Sequence, residues 1–387
     1  MIDRRALLAA GTAFAISKFL PGNAENSAAD TRIDELAAAV RSKIAAPGMA
    51  YGVVRDRRPV LRRGIGVREL GKQDLVTPQT LFHMASVTKP FVATLLAQRV
   101  EQGRLRLDQK LVEALPEFRP ADPRARAITI EHVLTHSSGL PDVDDDGYGW
   151  DHPETDADAL RRYVAGLSNL TLLFAPGAGY AYCNIGFEIL ARVIEVLDGV
   201  TFETAMRRAI FQPLKMNRST LFYPEADQTQ LAAPHVADAQ DKVYPSPVFP
   251  YNRPHAGSST LLSCVDDMLR WIQFNLGDGT LDGAHLVPGN APRFARASRS
   301  LGKERPLSGR DSTRAQLVRR PKRRGADPHA RWGRCGIRER MSVLPRAALR
   351  HGRDGELRNR RCHDDAAQVR ACRAPRGFAR SRAGGNC

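Results

Sequence analysis

The sequence predicts an α/β (α+β) body: an antiparallel β-hairpin with flanking helices, a mostly helical subdomain, and then an irregular arginine-rich tail. Three observations predict it. Two short apolar strand patterns stand on either side of a charged turn at Asp56-Arg57-Arg58, amphipathic helical stripes recur from Phe91 to Gly277, and both periodicities stop after Leu286. With 387 residues, 42% of them hydrophobic, the chain can bury a sizeable core. A collagen-like chain, a small disulfide scaffold and a membrane bundle are excluded.

Residues 1–28 read as a signal peptide. Arg4 and Arg5 precede a mostly apolar run from Ala6 to Ile16, followed by Lys18, Pro21 and small residues near Ala24 or Ala28 suited to cleavage. The paired arginines also suit twin-arginine export, so a periplasmic or secreted location is expected. The run is too short for a transmembrane helix and no later segment reads as one, so no integral membrane association is expected. From Thr31 a stripe of Ile33, Leu36, Val40 and Ile44 predicts a helix, with Thr31 and Asp34 as a capping box. Gly48–Val54 and Pro59–Val67 are the two strands. A helix follows Ser86 through Phe91, Leu95, Leu96 and Val100 to Gly103. Between Leu105 and Phe249, stripes such as Phe187, Leu190, Ile194 and Leu197 alternate with loops rich in Asp, Gly and Pro. A last amphipathic helix carries Val265, Met268, Leu269 and Ile272.

The formal net charge of +16 describes the tail alone. Residues 291–387 hold 27 Lys+Arg (25 of them Arg) against 8 Asp+Glu, whereas residues 1–290 hold 31 against 34, a net of −3. The body at residues 29–288 therefore gives no reason to expect a specific nucleic-acid partner. The tail at residues 289–387 has three aromatics and no RGG-type repeat, which leaves only non-specific phosphate affinity. Its composition fits a GC-rich gene read in another frame or a disordered basic tail. Of six cysteines only Cys183 and Cys264 lie in the body, and no CxxC pair appears. His83, His132 and His136 form no metal-ligand spacing, and no metal is expected. Asp142, Asp144, Asp146 and Gly147 open like an EF-hand, but Pro153 takes the twelfth position, so a solvated acidic loop is the better reading.

The sharpest chemical feature is Ser86-Val87-Thr88-Lys89 at a helix start. Three residues apart on a helix, the two side chains share a face, and the amine can approach the hydroxyl. A serine hydroxyl is a poor nucleophile until a neighbour takes its proton. Lysine can do so only where burial or nearby positive charge favours its neutral form. A helix N-terminus also offers N–H groups to an oxyanion. Alone, the tetrapeptide is more often a capping serine beside a solvated lysine. Tyr182-Cys183-Asn184, 96 positions on, ends a Gly-rich loop before the Phe187 helix and can place a phenol and an amide at a cleft. That tripeptide alone is more often a core tyrosine and a turn asparagine.

Taken together, Phe82-His83-Met84-Ala85-Ser86-Val87-Thr88-Lys89, the segment Ile128 to Pro141 with Leu134-Thr135-His136-Ser137-Ser138-Gly139-Leu140, and Pro176 to Gly186 resemble the serine hydrolases of the class C β-lactamase and penicillin-binding-protein family. Ala256 to Ser263 leading into Asp266-Asp267-Met268 agrees. The resemblance covers about residues 31–286. It implies a β-lactamase/transpeptidase-like fold and an acyl-enzyme on Ser86, with Lys89 and Tyr182 sharing proton transfer. Asn184 is expected to bind substrate, the Ser86 N–H to be half of an oxyanion hole, and no cofactor to be needed. Cys183 takes a place where the family often has Ser.

One departure is serious. The Lys-Thr-Gly or His-x-Gly triplet expected on a later strand has no counterpart after residue 286. His351-Gly352 lacks the strand pattern, and His255-Ala256-Gly257 fits as text but comes too early. If the tail is an altered reading frame, the C-terminal strands are missing as well. The expected function is an exported serine hydrolase. Its substrate is a short or non-ribosomal peptide amide, such as a linearised cyclic peptide like opened microcystin, or a small ester. The alternatives are a β-lactamase or D-alanyl-D-alanine carboxypeptidase and, in another class, a non-catalytic penicillin-binding-protein-like sensor.

Overall fold

The protein is described here by a computed structural model, which covers residues 22–142, 148–238, 240 and 242–286, with side chains from residue 28. Residues 1–21 of the expected signal, most of the acidic loop (Asp144, Asp146, Gly147) and the whole tail with His351-Gly352 lie outside the described residues.

Helix α1 (Gly22–Lys43) begins upstream of Thr31, so Thr31 lies inside the helix and not at its cap. Ala28 and Ala29 carry helix-favouring composition through the expected boundary. The predicted stripe is not the face α1 buries: Leu36 is 64% exposed and Val40 and Ile44 are also exposed, while Ala37 is buried. Strands β1 (Gly48–Arg55) and β2 (Arg58–Gly66) form the expected hairpin, from Gly48 opposite Gly66 to Arg55 opposite Arg58. At its turn Asp56 and Arg57 both have positive φ, 49° and 61°, the hand that matches strand twist.

Strand β3 (Phe82–His83) leads to α2 (Thr88–Glu101). The helical half adds α3 (Leu111–Ala114), α4 (Ile130–Leu134), α5 (Ala159–Ala165), α6 (Ile185–Asp198) and α7 (Phe202–Met206). Then follow β4 (His235–Ala237), β5 (Val243–Pro245), β6 (Leu262–Ser263), α8 (Val265–Asn275), β7 (Thr280–Leu281) and β8 (Ala284–His285). Among the described residues the strands form four two-stranded antiparallel ladders: β1–β2, β3–β6, β4–β5 and β7–β8.

The core centres on α2. Phe91 stacks on Trp271 of α8 at 3.8 Å between centroids and meets Phe211 edge-on at 6.0 Å. Phe91, Leu95 and Leu96 are fully buried, and each such side chain contributes about 1.5–3 kcal/mol of hydrophobic stabilisation. Helix α6 buries Ile189, Leu190, Val193 and Ile194 against this core and stops at Gly199, whose φ of +65° closes a left-handed cap. The α2–α6 packing brings the start of one helix beside the start of the other. That juxtaposition builds the site.

Candidate active site

Ser86 sits in a short helical turn, Ala85–Val87, between β3 and α2. The turn is clamped from behind. Met84 N–H donates to the Leu261 carbonyl at 2.7 Å, the Thr88 hydroxyl donates to the Ala85 carbonyl at 2.7 Å, and Leu261 N–H donates to that hydroxyl at 3.1 Å. Ala85 has φ +41°, a conformation that costs an L-residue about 1 kcal/mol or more and persists only where its surroundings impose it.

Four residues singled out from the sequence meet here. Ser86 Oγ lies 2.6 Å from the Tyr182 hydroxyl and 3.1 Å from Lys89 Nζ. Lys89 Nζ also donates to Asn184 Oδ1 at 2.5 Å and to the Ser258 carbonyl at 3.1 Å. Its three donor directions are therefore all taken, and a neutral amine in the same place would aim its lone pair at the Ser86 hydroxyl. Asn184 does something the sequence did not suggest. Its Nδ2 donates to Asp142 Oδ2 at 3.0 Å and to the Tyr148 hydroxyl at 2.6 Å, and its Oδ1 holds Lys89. A substrate could reach only the remaining Oδ1 lone pair.

Burial dominates the electrostatics. It lowers the Lys89 ammonium from 10.5 to about 8, opposed by the negative charges of Glu188 and Asp142. Tyr182 keeps 44% of its surface exposed, yet packing around its phenol raises it to about 12, with Ser86 pulling the other way. The phenol is thus a proton donor at ordinary pH. Burial, then the charge of Lys89, lowers His136 to about 4, which keeps its ring neutral. Burial pushes the Cys183 thiol up to about 12, consistent with no chemistry there.

Several residues of the site went unrecognised in the sequence. His136 packs its ring 4.6 Å from that of Tyr182 and accepts from Cys183 N–H through Nδ1 at 3.2 Å, fixing the tyrosine loop. Its φ of +55° is a second left-handed position beside the site. Asp142, part of the acidic loop, also accepts from Asn184 N–H at 2.9 Å. His255-Ala256-Gly257 does not stand in for the missing triplet: Arg253–His255 is a helical turn and His255 is buried. Gly257 is needed for packing, because a Cβ there would lie 2.0 Å from the Phe187 carbonyl oxygen. Gly257→Ala is expected to cost about 1–3 kcal/mol in urea unfolding, as overpacking against rigid backbone does.

A family model described as Beta-lactamase matches residues 33–332, more than half of the chain, and the protein belongs to that family. It is 32% identical to penicillin-binding protein 4 of Amycolatopsis lactamdurans over 260 residues, 64% of this chain and 65% of that one. It is 31% identical to the esterase EstB of Burkholderia gladioli over 265 residues, 58% of this chain and 64% of that one. The chain thus spans slightly less than two thirds of these relatives' lengths. Its structure is similar to that of an octameric penicillin-binding protein homologue from Pyrococcus abyssi, with TM-score 0.59 and 25% identity, covering 68% of this chain and 59% of the other.

Proposed function

We propose that the protein is an exported serine hydrolase that cleaves amide or ester bonds through an acyl-Ser86 intermediate. One observation carries this reading: the hydrogen-bonded path from the Tyr182 hydroxyl through Ser86 Oγ to Lys89 Nζ, beside a lysine that burial brings to about 8. Neutral Lys89 takes the Ser86 proton as Oγ attacks the carbonyl carbon. The Ser86 N–H holds the developing oxyanion. Tyr182 gives its proton to the departing amine or alkoxide, and the proton on Lys89 restores the phenol by way of the site's hydrogen bonds. Water then attacks the acyl-enzyme with the same groups assisting. Asn184 keeps Lys89 aimed at Ser86. The work is done by protein groups alone.

The favoured substrate is a short or non-ribosomal peptide, a linearised cyclic peptide such as opened microcystin within that class, or a small ester. Support comes from a shallow cavity of about 200 Å³ walled by Trp150, Tyr223, Phe249 and Tyr251. It adjoins the site: Trp150 stacks on Tyr148 at 5.0 Å, and Phe249 meets His83 edge-on at 6.0 Å. Aromatic walls favour a substrate with bulky apolar groups. Export rests on the N-terminal sequence; no helix among the described residues is long and apolar enough to cross a membrane.

The test is intact-mass spectrometry before and after a fluorophosphonate, alongside peptide, ester and cephalosporin substrates. A single adduct that Ser86→Ala abolishes, with turnover of peptide or ester, is expected. No adduct on a folded protein would mean a non-catalytic binder, and turnover of the cephalosporin alone would overturn the substrate preference.

A further inference from the structure

Beneath the site lies a buried carboxylate that the proposed chemistry does not use. Glu188, on the first turn of α6, is 0% exposed, as is Ser258, and His255 is 1% exposed. The Ser258 hydroxyl donates to Glu188 Oε1 at 2.5 Å, and His255 Nδ1 lies 3.3 Å from the same oxygen. Ser258 therefore has two engagements. Its side chain is held by Glu188, and its carbonyl accepts from Lys89 Nζ at 3.1 Å. The close approach of Gly257 to the Phe187 carbonyl fixes this segment flat against α6, one residue before Glu188.

We infer that Glu188 is a positioning residue for Lys89, which holds the Ser258 carbonyl under the amine and biases that amine toward its protonated form. The inference rests on the reading of Lys89 as the base. Burying an anion is costly, and this one is only half satisfied: Glu188 Oε2 has no hydrogen-bond partner among the described residues. A negative charge near a buried ammonium favours its protonated form and offsets part of the effect of burial. Glu188 is the largest influence opposing the effect of burial on Lys89, ahead of Asp142.

The groups facing Lys89 come from every surrounding element. They are Ser86 on its own turn, Tyr182, Cys183 and Asn184 before α6, His136 after α4, Asp142 on the loop, and Ser258. Those facing Glu188 are Ser258, His255, Tyr148 and Tyr163, whose rings meet His255 at 4.7 and 5.2 Å. Glu188 and Asp142 are the two largest sources of negative charge at Lys89 in this set, ahead of Cys183, and Asp142 is tied to Asn184.

Glu188→Gln keeps the shape and an acceptor for Ser258 while removing the charge. Two readouts separate the inference from the reading beneath it. Titration of Lys89 by NMR of lysine labelled at the ε position, its signal assigned by loss in Lys89→Met, does not depend on turnover. The pH dependence of fluorophosphonate labelling of Ser86 does. Removing the charge is expected to lower the midpoint of both by about one pH unit, at the small end for an opposite charge close by. Should Glu188→Gln fold poorly, Glu188→Leu supplies the same comparison with an apolar occupant. A folded variant of either kind with the Lys89 midpoint unmoved overturns the inference, even where the enzyme is active. A moved midpoint in a protein that never labels leaves the electrostatic role standing and removes the hydrolase reading.

Discussion

Lys89→Met is expected to slow acylation of Ser86 by about 10²- to 10⁴-fold, the contribution of a positioned general base, and to make the fold more stable. Both effects have one cause. Burial holds Lys89 at about 8 against 10.5 in an unfolded chain. Between those values the unfolded chain keeps a proton that the folded protein has released, so stability rises with pH from about 8 to 10.5. Below about 8 the full cost is present, on the order of 3 kcal/mol. Methionine cannot be charged and recovers part of it, less what Asn184 Oδ1 and the Ser258 carbonyl lose as acceptors. Urea unfolding at pH 7 should show the variant more stable, with the gap narrowing at pH 10. Activity of the unsubstituted protein should rise with pH through a midpoint near 8. Tyr182, held at about 12, should bring no descending limb below about pH 11. Lys89→Arg should not rescue, since a guanidinium stays protonated. Retention of activity within tenfold in Lys89→Met would make Tyr182 the base instead.

What could be read in the chain was local. Ser86 and Lys89 are three residues apart by arithmetic, and their meeting in space needs only that the Ala85–Val87 turn run on into α2. The hairpin turn at Asp56-Arg57 and the buried stripe of α6 are likewise products of neighbours in sequence. Tyr182 and Asn184 needed the family resemblance, because nothing in the 95 residues between Ser86 and Tyr182 says that one loop folds back on another. The Glu188–Ser258–His255 cluster was out of reach for the same reason: a glutamate on an apolar helix reads as its polar edge, and only packing shows it at 0% exposure. Asn184 illustrates a different limit. Its identity suits a substrate contact, but an amide has few hydrogen-bonding directions, and Asp142, Tyr148 and Lys89 occupy nearly all of them. Helix α1 shows a period without a destination, since its stripe predicts the helix correctly while Leu36, Val40 and Ile44 stay exposed.

Arg253→Met is expected to destabilise the protein by about 3–5 kcal/mol, the range for breaking one partner out of a buried ionic cluster. The Arg253 guanidinium is 2% exposed. It donates to Glu195 Oε1 and Glu203 Oε2, each at 2.9 Å, and to the carbonyls of Asp156 and Ala157 at 3.0 and 2.8 Å. Glu195 keeps Arg192 at 3.0 Å and the Phe202 N–H at 3.1 Å when Arg253 is gone, whereas Glu203 is left buried without its cation. The melting temperature should fall by about 10 °C or more for a domain of this size. Arg253→Met with Glu203→Leu should regain much of the loss, because removing both charges is far cheaper than stranding one. That contrast separates an electrostatic defect from a merely steric one. If the double variant is no more stable than Arg253→Met, the arginine acts through its two carbonyl contacts, which tie the loop before α5 to the turn leading into His255 and Ser258. In either case Arg253 lies five residues before Ser258, whose carbonyl accepts from Lys89 Nζ, so one short segment carries both a buried ion-pair cluster and a contact to the site's lysine.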